Sequence, residues 1–394
     1  MIDYRAITVL LVDGATRQTL PLAKAFKKLG CRVITYNCSK LDVGYSSKYP
    51  DLRILDKKAR DDLNYLIDSL EKYLPEMGVD IVVSTCDITV EALSLNKKRL
   101  ERFARIAVVD PELFYVAYDK LNTMAVCMEH HIPCPRTILS VRNGKDILDA
   151  NLGYPVVVKP RKSYGAIGYR LLRNEKELNL FIASKNSSLY QYIFQEYIPQ
   201  TDIQFEAAMF VDNNNEIKAA VVFTKNRWFP VDGGSSTMNI TVDRPDIVDA
   251  CSRLLRIIGW KGCADIDLIQ DPRDGVVKIM EINPRVSGSV KICFEAGVNL
   301  AQQIIQNELG YPVTEFKEYK LGKRLRYLHG DLLWFIKSPN RFRTRPSWFS
   351  AVKTKDQIFS LSDPLPGITY SVQAIRRYKT EITKRRSTHF SDTC

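Results

Sequence analysis

Two carboxylates, an amide and an arginine are the residues of this chain best placed to do chemistry. The run Met280-Glu281-Ile282-Asn283-Pro284-Arg285 follows Asp267, and Gln270-Asp271-Pro272-Arg273-Asp274-Gly275 between them is a strong turn signal. Side chains alternate along a strand, so Asp265 and Asp267 share one face, as do Glu281 and Asn283. A hairpin closing symmetrically about Asp274 puts Asp267 opposite Glu281. Oxygen ligands gathered in this way repel one another unless a cation sits between them. Hard donors of this kind suit Mg²⁺ that is also held by substrate phosphates, with Mn²⁺ as an alternative. A merely hydrated acidic face is the competing reading for an ordinary hairpin.

A second set lies upstream. Val156-Val157-Val158-Lys159-Pro160 reads as an apolar strand ending in a lysine. Burying an unpaired ammonium is costly, so Lys159 either snorkels to solvent or faces an anion. The loop that follows carries Ser163, Gly165 and Gly168. Its glycines let backbone amides approach phosphates, and the serine adds a hydroxyl donor. Further on, Arg227 precedes Gly233-Gly234-Ser235-Ser236. An arginine can grip a carboxylate in bidentate fashion, and paired glycines with hydroxyls can cradle an anion. A plain turn between strands fits that loop equally well. Ser287, just after Arg285, would extend the same anion pocket.

Taken in chain order, Lys120, the strand-Lys159-loop, Phe194-Gln195-Glu196-Tyr197-Ile198 and the Asp267–turn–Glu-x-Asn-Pro-Arg set closely resemble the ATP-grasp superfamily. The likeness is greatest to carbamoyl-phosphate-synthase-like members and to carboxylate–amine ligases similar to D-aspartate ligase, and runs from about Tyr118 to Gly310. It implies that Asp267, Glu281 and Asn283 hold Mg²⁺, that Lys120 and Lys159 contact the phosphates of ATP, and that Arg285 faces phosphate. Arg285 and Lys159 are then the catalytic candidates. It also implies a phosphate loop at Ser163, Gly165 and Gly168, an adenine-binding hinge at Glu196, Tyr197 and Ile198, and a ribose contact at Asp202. Glu206 matches a further acidic position.

Elements must be found to position these groups. The chain has 394 residues, 45% hydrophobic and 26% charged, as in an ordinary soluble protein of two or three domains. It has no run of eighteen apolar residues, and its first residues lack a signal-peptide pattern. Nine cysteines without a regular framework, and only four histidines, suggest free thiols in a reducing cytoplasm rather than disulfides or a zinc site. Apolar runs at Ala6–Val12, Cys31–Tyr36, Asp80–Ser84 and Ile106–Val109 alternate with helical stretches, so residues 1–112 read as a doubly wound α/β domain. Its first turn, Asp13-Gly14-Ala15-Thr16-Arg17, is not a dinucleotide fingerprint, and leaves Thr16, Arg17 and Thr85 as weak candidates. Residues 113–312 are expected to form a two-lobed α+β ATP-grasp core with a mobile lid at about 122–194.

Most of the net charge of +12 belongs to residues 313–394: from Lys317 onward there are 17 Lys or Arg against 6 Asp or Glu. Tyr327-Leu328-His329-Gly330-Asp331-Leu332-Leu333-Trp334-Phe335 and the arginines after it read as a small cap with Trp334 and Phe335 in its core. A peripheral contact with an anionic membrane surface is the alternative. No nucleic-acid motif accompanies the charge. The functional expectation is an ATP-dependent, ADP-forming ligase that joins a small carboxylate to an amine, with a phosphorylated or cell-envelope precursor among the candidate acceptors. A carboxyphosphate or carbamate kinase, and a nucleotide-binding regulatory module without turnover, are the alternatives.

Overall fold

A computed structural model describes residues 2–163, 167–200, 203–231, 233–350 and 353–375. The first domain is built on five parallel strands, β1 (Thr8–Leu11), β2 (Arg32–Asn37), β3 (Leu52–Leu55), β4 (Ile81–Val83) and β5 (Arg105–Ile106), in the order β3-β2-β1-β4-β5. β1 is apolar throughout because both its faces are covered. Val9 and Leu11 pack toward the rest of the molecule, while Leu10 joins Leu66, Leu70 and Leu74 of helix Leu63–Met77 on the other side. Helix Thr19–Leu29 ends at Gly30, whose φ of 106° suits the left-handed C-terminal cap. Strand order changes direction between β1 and β4, so a crevice opens at their carboxyl ends.

The segment expected to be the lid holds a three-stranded antiparallel sheet of β6 (Val156–Pro160), β7 (Arg170–Leu172) and β8 (Tyr192–Glu196), ordered β7-β6-β8. Val156, Val158 and Phe194 on one face bury against Leu178 and Phe181 of helix Glu175–Lys185.

The largest sheet has seven strands. They are β9 (Gln204–Val211), β10 (Ile217–Phe229), β11 (Ser235–Thr241), β12 (Gly262–Gln270), β13 (Val277–Asn283), β14 (Arg324–Arg326) and β15 (Thr354–Asp356), ordered β13-β12-β9-β10-β11-β14-β15. Alternation divides its residues cleanly. Ala208, Phe210, Val221 and Phe223 face helices Lys291–Ala296 and Leu300–Glu308 and the first domain. Ala207, Met209, Val222 and Ile266 face helix Pro245–Ile257 and the helices at Pro111–Tyr118 and Lys120–Glu129. The catalytic candidates of β12 and β13 lie on the first of these faces, at the end nearest the lid and the first domain.

The expected cap takes a different form. β14 pairs with β11, β15 pairs with β14, and both extend the main sheet as its edge. Trp334 of helix Leu328–Lys337 is buried against Arg227, and Phe335 stacks on Trp348 with centroids 4.5 Å apart. Helical residues 365–375 reach back to the first domain, where Gln373 donates to Asp42 and Asp363 accepts from Ser47. Basic residues 376–394, which carry the rest of the expected membrane-facing charge, lie outside the described residues. No described helix is long and apolar enough to cross a membrane, and the eight described cysteines are free.

Candidate active site

The hairpin closes in the expected register: Asp267 pairs with Glu281 and Asp265 with Asn283. The turn signal sets this arrangement, because Gly275 supplies a φ of 75° and Asp271 accepts from Arg273 and Lys278 to rigidify the bend. Three lysines from other elements converge on the two carboxylates. Lys120, at the start of its helix, lies 3.3 Å from Glu281. Lys225, on β10, contacts Asp267 and lies 3.5 Å from Glu206. Lys159, at the end of β6, sits close enough to feel both Glu281 and Lys120.

The electrostatics are those of a charged site under strain. Burial pushes Lys159 down to about 8; Glu281 opposes the shift and Lys120 adds to it. Burial alone would raise Glu281, but Lys120, Lys159 and Lys225 outweigh it and hold the carboxylate below its usual range. Behind them lies a buried acid pair. Burial and the adjacent Glu206 push Asp265 well up, while Lys225, the Asp265 proton, Ser287 and Arg285 keep Glu206 low despite its own burial.

Arg285 ties this centre to the first domain. Its Nε donates to Asp87 at 2.9 Å, Nη1 to Asp265 at 3.4 Å, and Nη2 to the Asn283 side-chain Oδ1 at 3.3 Å. Asn283 in turn donates to Asp267 at 3.2 Å. Among the described residues no three His, Cys, Asp or Glu side chains close into a metal cage. Asp267 and Glu281 form an incomplete oxygen set against a cationic floor, while the Asn283 amide turns its nitrogen to Asp267 and its oxygen to Arg285. Such a set fits a small divalent ion whose remaining ligands are phosphate oxygens and water.

In the segment expected to form the lid, the Ser163 carbonyl accepts from Lys120 Nζ at 2.6 Å. Gly168 has a packing reason of its own: its φ is 77°, and a Cβ there would stand 2.7 Å from the Pro160 ring. Gly165 and Asp202 lie outside the described residues. At the hinge the Glu196 carboxylate is already engaged. It accepts from the backbone N–H of Arg136 at 3.0 Å and from Arg273 at 3.1 Å, with Lys278 at 3.6 Å. The expectation that it accepts an adenine amino hydrogen does not fit these contacts.

Arg227 is the clearest correction. It is 2% exposed and forms a bidentate pair with Asp331 at 2.6 and 3.0 Å, while Nη1 donates to the Pro346 carbonyl. A substrate carboxylate has no access to it. Two breaks in the β10–β11 register, between Lys225 and Arg227 and between Arg227 and Trp228, interrupt the alternation that would keep Lys225 and Arg227 on one face. Lys225 turns to the site instead. Gly233-Gly234-Ser235 makes the connection between β10 and β11, with Phe229 paired to Ser235 and no room for a Cβ at Gly234, 2.3 Å from the Phe229 carbonyl oxygen. Ser236 is buried in β11, and Ser287 donates to Glu206 at 2.6 Å. The hydroxyls of Ser236 and Ser287 are thus spent on the Met238 carbonyl and on Glu206, while Ser235 is exposed. Lys225 and Asp87 were not foreseen, and only the spacing of Lys225 from Phe223 on β10 could have signalled it.

Residues 117–289 match the model of the ATP-grasp domain. The chain is 24% identical over 258 residues to a D-aspartate ligase of Enterococcus faecium, covering 61% of each protein. It is 24% identical over 316 residues to the carbamoyl phosphate synthase large chain of Clostridium botulinum, covering 76% of this chain and 28% of that one. The chain thus spans about three fifths of the first relative and under a third of the second. Its fold is similar to that of biotin carboxylase from Campylobacter jejuni, solved as a β-γ-ATP complex, with a TM-score of 0.66 at 15% identity over 82% of this chain and 75% of that one.

Proposed function

Because this chain carries an ATP-grasp domain, we propose that it is an ATP-dependent, ADP-forming ligase that activates a carboxylate as an acylphosphate and joins it to an amine. The observation that carries this reading is the convergence of Lys120, Lys159 and Lys225 on Asp267 and Glu281, with Arg285 beside them. The three ammoniums face Asp267, Glu281 and Glu206, and they are placed where the oxygens of a polyphosphate could meet several of them at once. Mg²⁺ held by Asp267, Glu281 and Asn283 would supply charge neutralisation at the phosphate oxygens.

The protein's own part is positioning and electrostatics. Lys120 and Lys159 sit at the lid junction, where they can follow the phosphates as the lid closes. Arg285 is pinned by Asp87 and Asn283, so a substrate carboxylate placed beside it meets a rigid guanidinium. An oxygen of that carboxylate bonds to the γ-phosphorus as the bond to ADP breaks; the amine then attacks the acyl carbon and expels phosphate. No protein nucleophile is needed. The relationship to D-aspartate ligase supports a small carboxylate and an amine as substrates.

A screen for phosphate release with MgATP, amino acids and carboxylic acids tests the proposal. Substrate-dependent ADP formation is expected, reduced by about 10³-fold in Glu281→Gln with the thermal midpoint maintained. Undiminished turnover in that variant would sink the site assignment.

A further inference from the structure

Arg17 is the cation that the mechanism leaves unused. It lies on the loop after β1, at the crevice where the strand order of the first domain reverses. That loop is locked to the loop after β4. Thr16 and Thr85 share a hydroxyl contact at 2.6 Å, Gln18 donates to the Thr85 carbonyl, and Asp13 accepts from Ser84, Thr85 and Cys86 at 2.6, 2.7 and 3.1 Å. The local acid is therefore spent on backbone and serine, and among the described residues Arg17 makes no ion pair.

Its position is nonetheless fixed. The guanidinium lies 4.5 Å from the centroid of the Tyr327 ring. That ring is held by its own hydroxyl contact with Tyr370 at 2.9 Å, and Gly330 lets it lie close, since a Cβ there would be 2.7 Å from it. On its other side, a Cβ at Gly288 would sit 3.4 Å from an Arg17 nitrogen. Gly288 is three residues beyond Arg285, which reaches the same two-loop unit through Asp87. A partly exposed arginine is thus held in place beside the Arg285–Ser289 segment, with its donors unsatisfied by any carboxylate.

Resting on the ligase reading, we propose that Arg17 is a specificity-determining residue that grips a second, non-reacting carboxylate of the substrate. The preferred substrate is then a dicarboxylate or acidic amino acid whose other end reacts at the phosphates. A planar guanidinium recognises a carboxylate through two parallel hydrogen bonds, which an amide of the same shape cannot match.

The test compares succinate, aspartate and glutamate with succinamate, asparagine and glutamine. Substrate-dependent ADP release is measured at saturating MgATP, and calorimetric titration follows binding to protein loaded with a non-hydrolysable ATP analogue. Wild-type protein should favour at least one diacid over its amide. Arg17→Met should raise KM or Kd for that diacid about 10- to 100-fold while leaving kcat and ATP-analogue affinity near wild type. Arg17→Lys should recover part of the loss. Arg17-dependent diacid binding without turnover counts against the ligase reading and upholds this one. Wild-type protein that binds none of the diacids, or an Arg17→Met variant that binds them as wild type does, overturns it.

Discussion

Two charged clusters hang on β10, two residues apart in sequence and opposite in character. Around Arg227, one buried carboxylate serves two guanidiniums: Asp331 is fully buried, takes both arms of Arg227, accepts from Thr237 and lies 2.7 Å from Arg326. Around Lys225, three ammoniums meet Asp267, Glu281 and Glu206 at the junction with the lid, and burial drives Lys159 toward neutrality. The first cluster is closed and serves the fold. The second stays partly open, with the Glu281 and Asp267 side chains 28% and 22% exposed, so its lysines can meet an arriving anion. Ion pairs alone do not mark an active site; charges left accessible to a ligand do.

The largest expected effect breaks the closed cluster. Asp331→Ala strands Arg227 and Arg326 without their carboxylate and should cost about 3–5 kcal/mol of stability, read as a lower denaturation midpoint. A loss below about 1 kcal/mol would show that the cluster is not what joins helix Leu328–Lys337 to the sheet. Next, Lys225→Met should lower kcat by about 100-fold, with stability changing by far less than in Asp331→Ala. If stability falls and kcat holds, the two clusters have been assigned the wrong roles.

The smallest effect concerns pH. Lys159 carries its proton below about 8 in the free protein and loses it above. ATP requires the charged form, so affinity should be flat below about pH 8 and weaken above it, by at most about tenfold per unit. Lys159→Arg should remove the bend, since a guanidinium stays charged across that range. A bend that persists in that variant assigns the titration to another group.

The same contrast explains what could be read from sequence. The Asp267–Glu281 register was legible because turn chemistry and alternation are local, and both survive folding intact. So were the parallel first domain and the lysine ending β6. Arg227 misled because breaks in the β10–β11 register are invisible to a period-two pattern. Glu196 misled because its partners, Arg273 and Lys278, arrive from a distant hairpin. The C-terminal segment read as a cap because three-residue strands such as Arg324–Arg326 and Thr354–Asp356 are too short to show a period.

The central claim is that Asp267, Glu281 and Asn283 form the cation end of an ATP site. Calorimetric titration of ATP with and without Mg²⁺, on wild-type protein and on Glu281→Gln, tests it most directly. Wild-type protein should bind ATP more tightly with Mg²⁺ than without, and the variant should lose that difference while its thermal midpoint holds. Equal magnesium dependence in the two proteins, or no ATP binding by the wild type, would contradict the account.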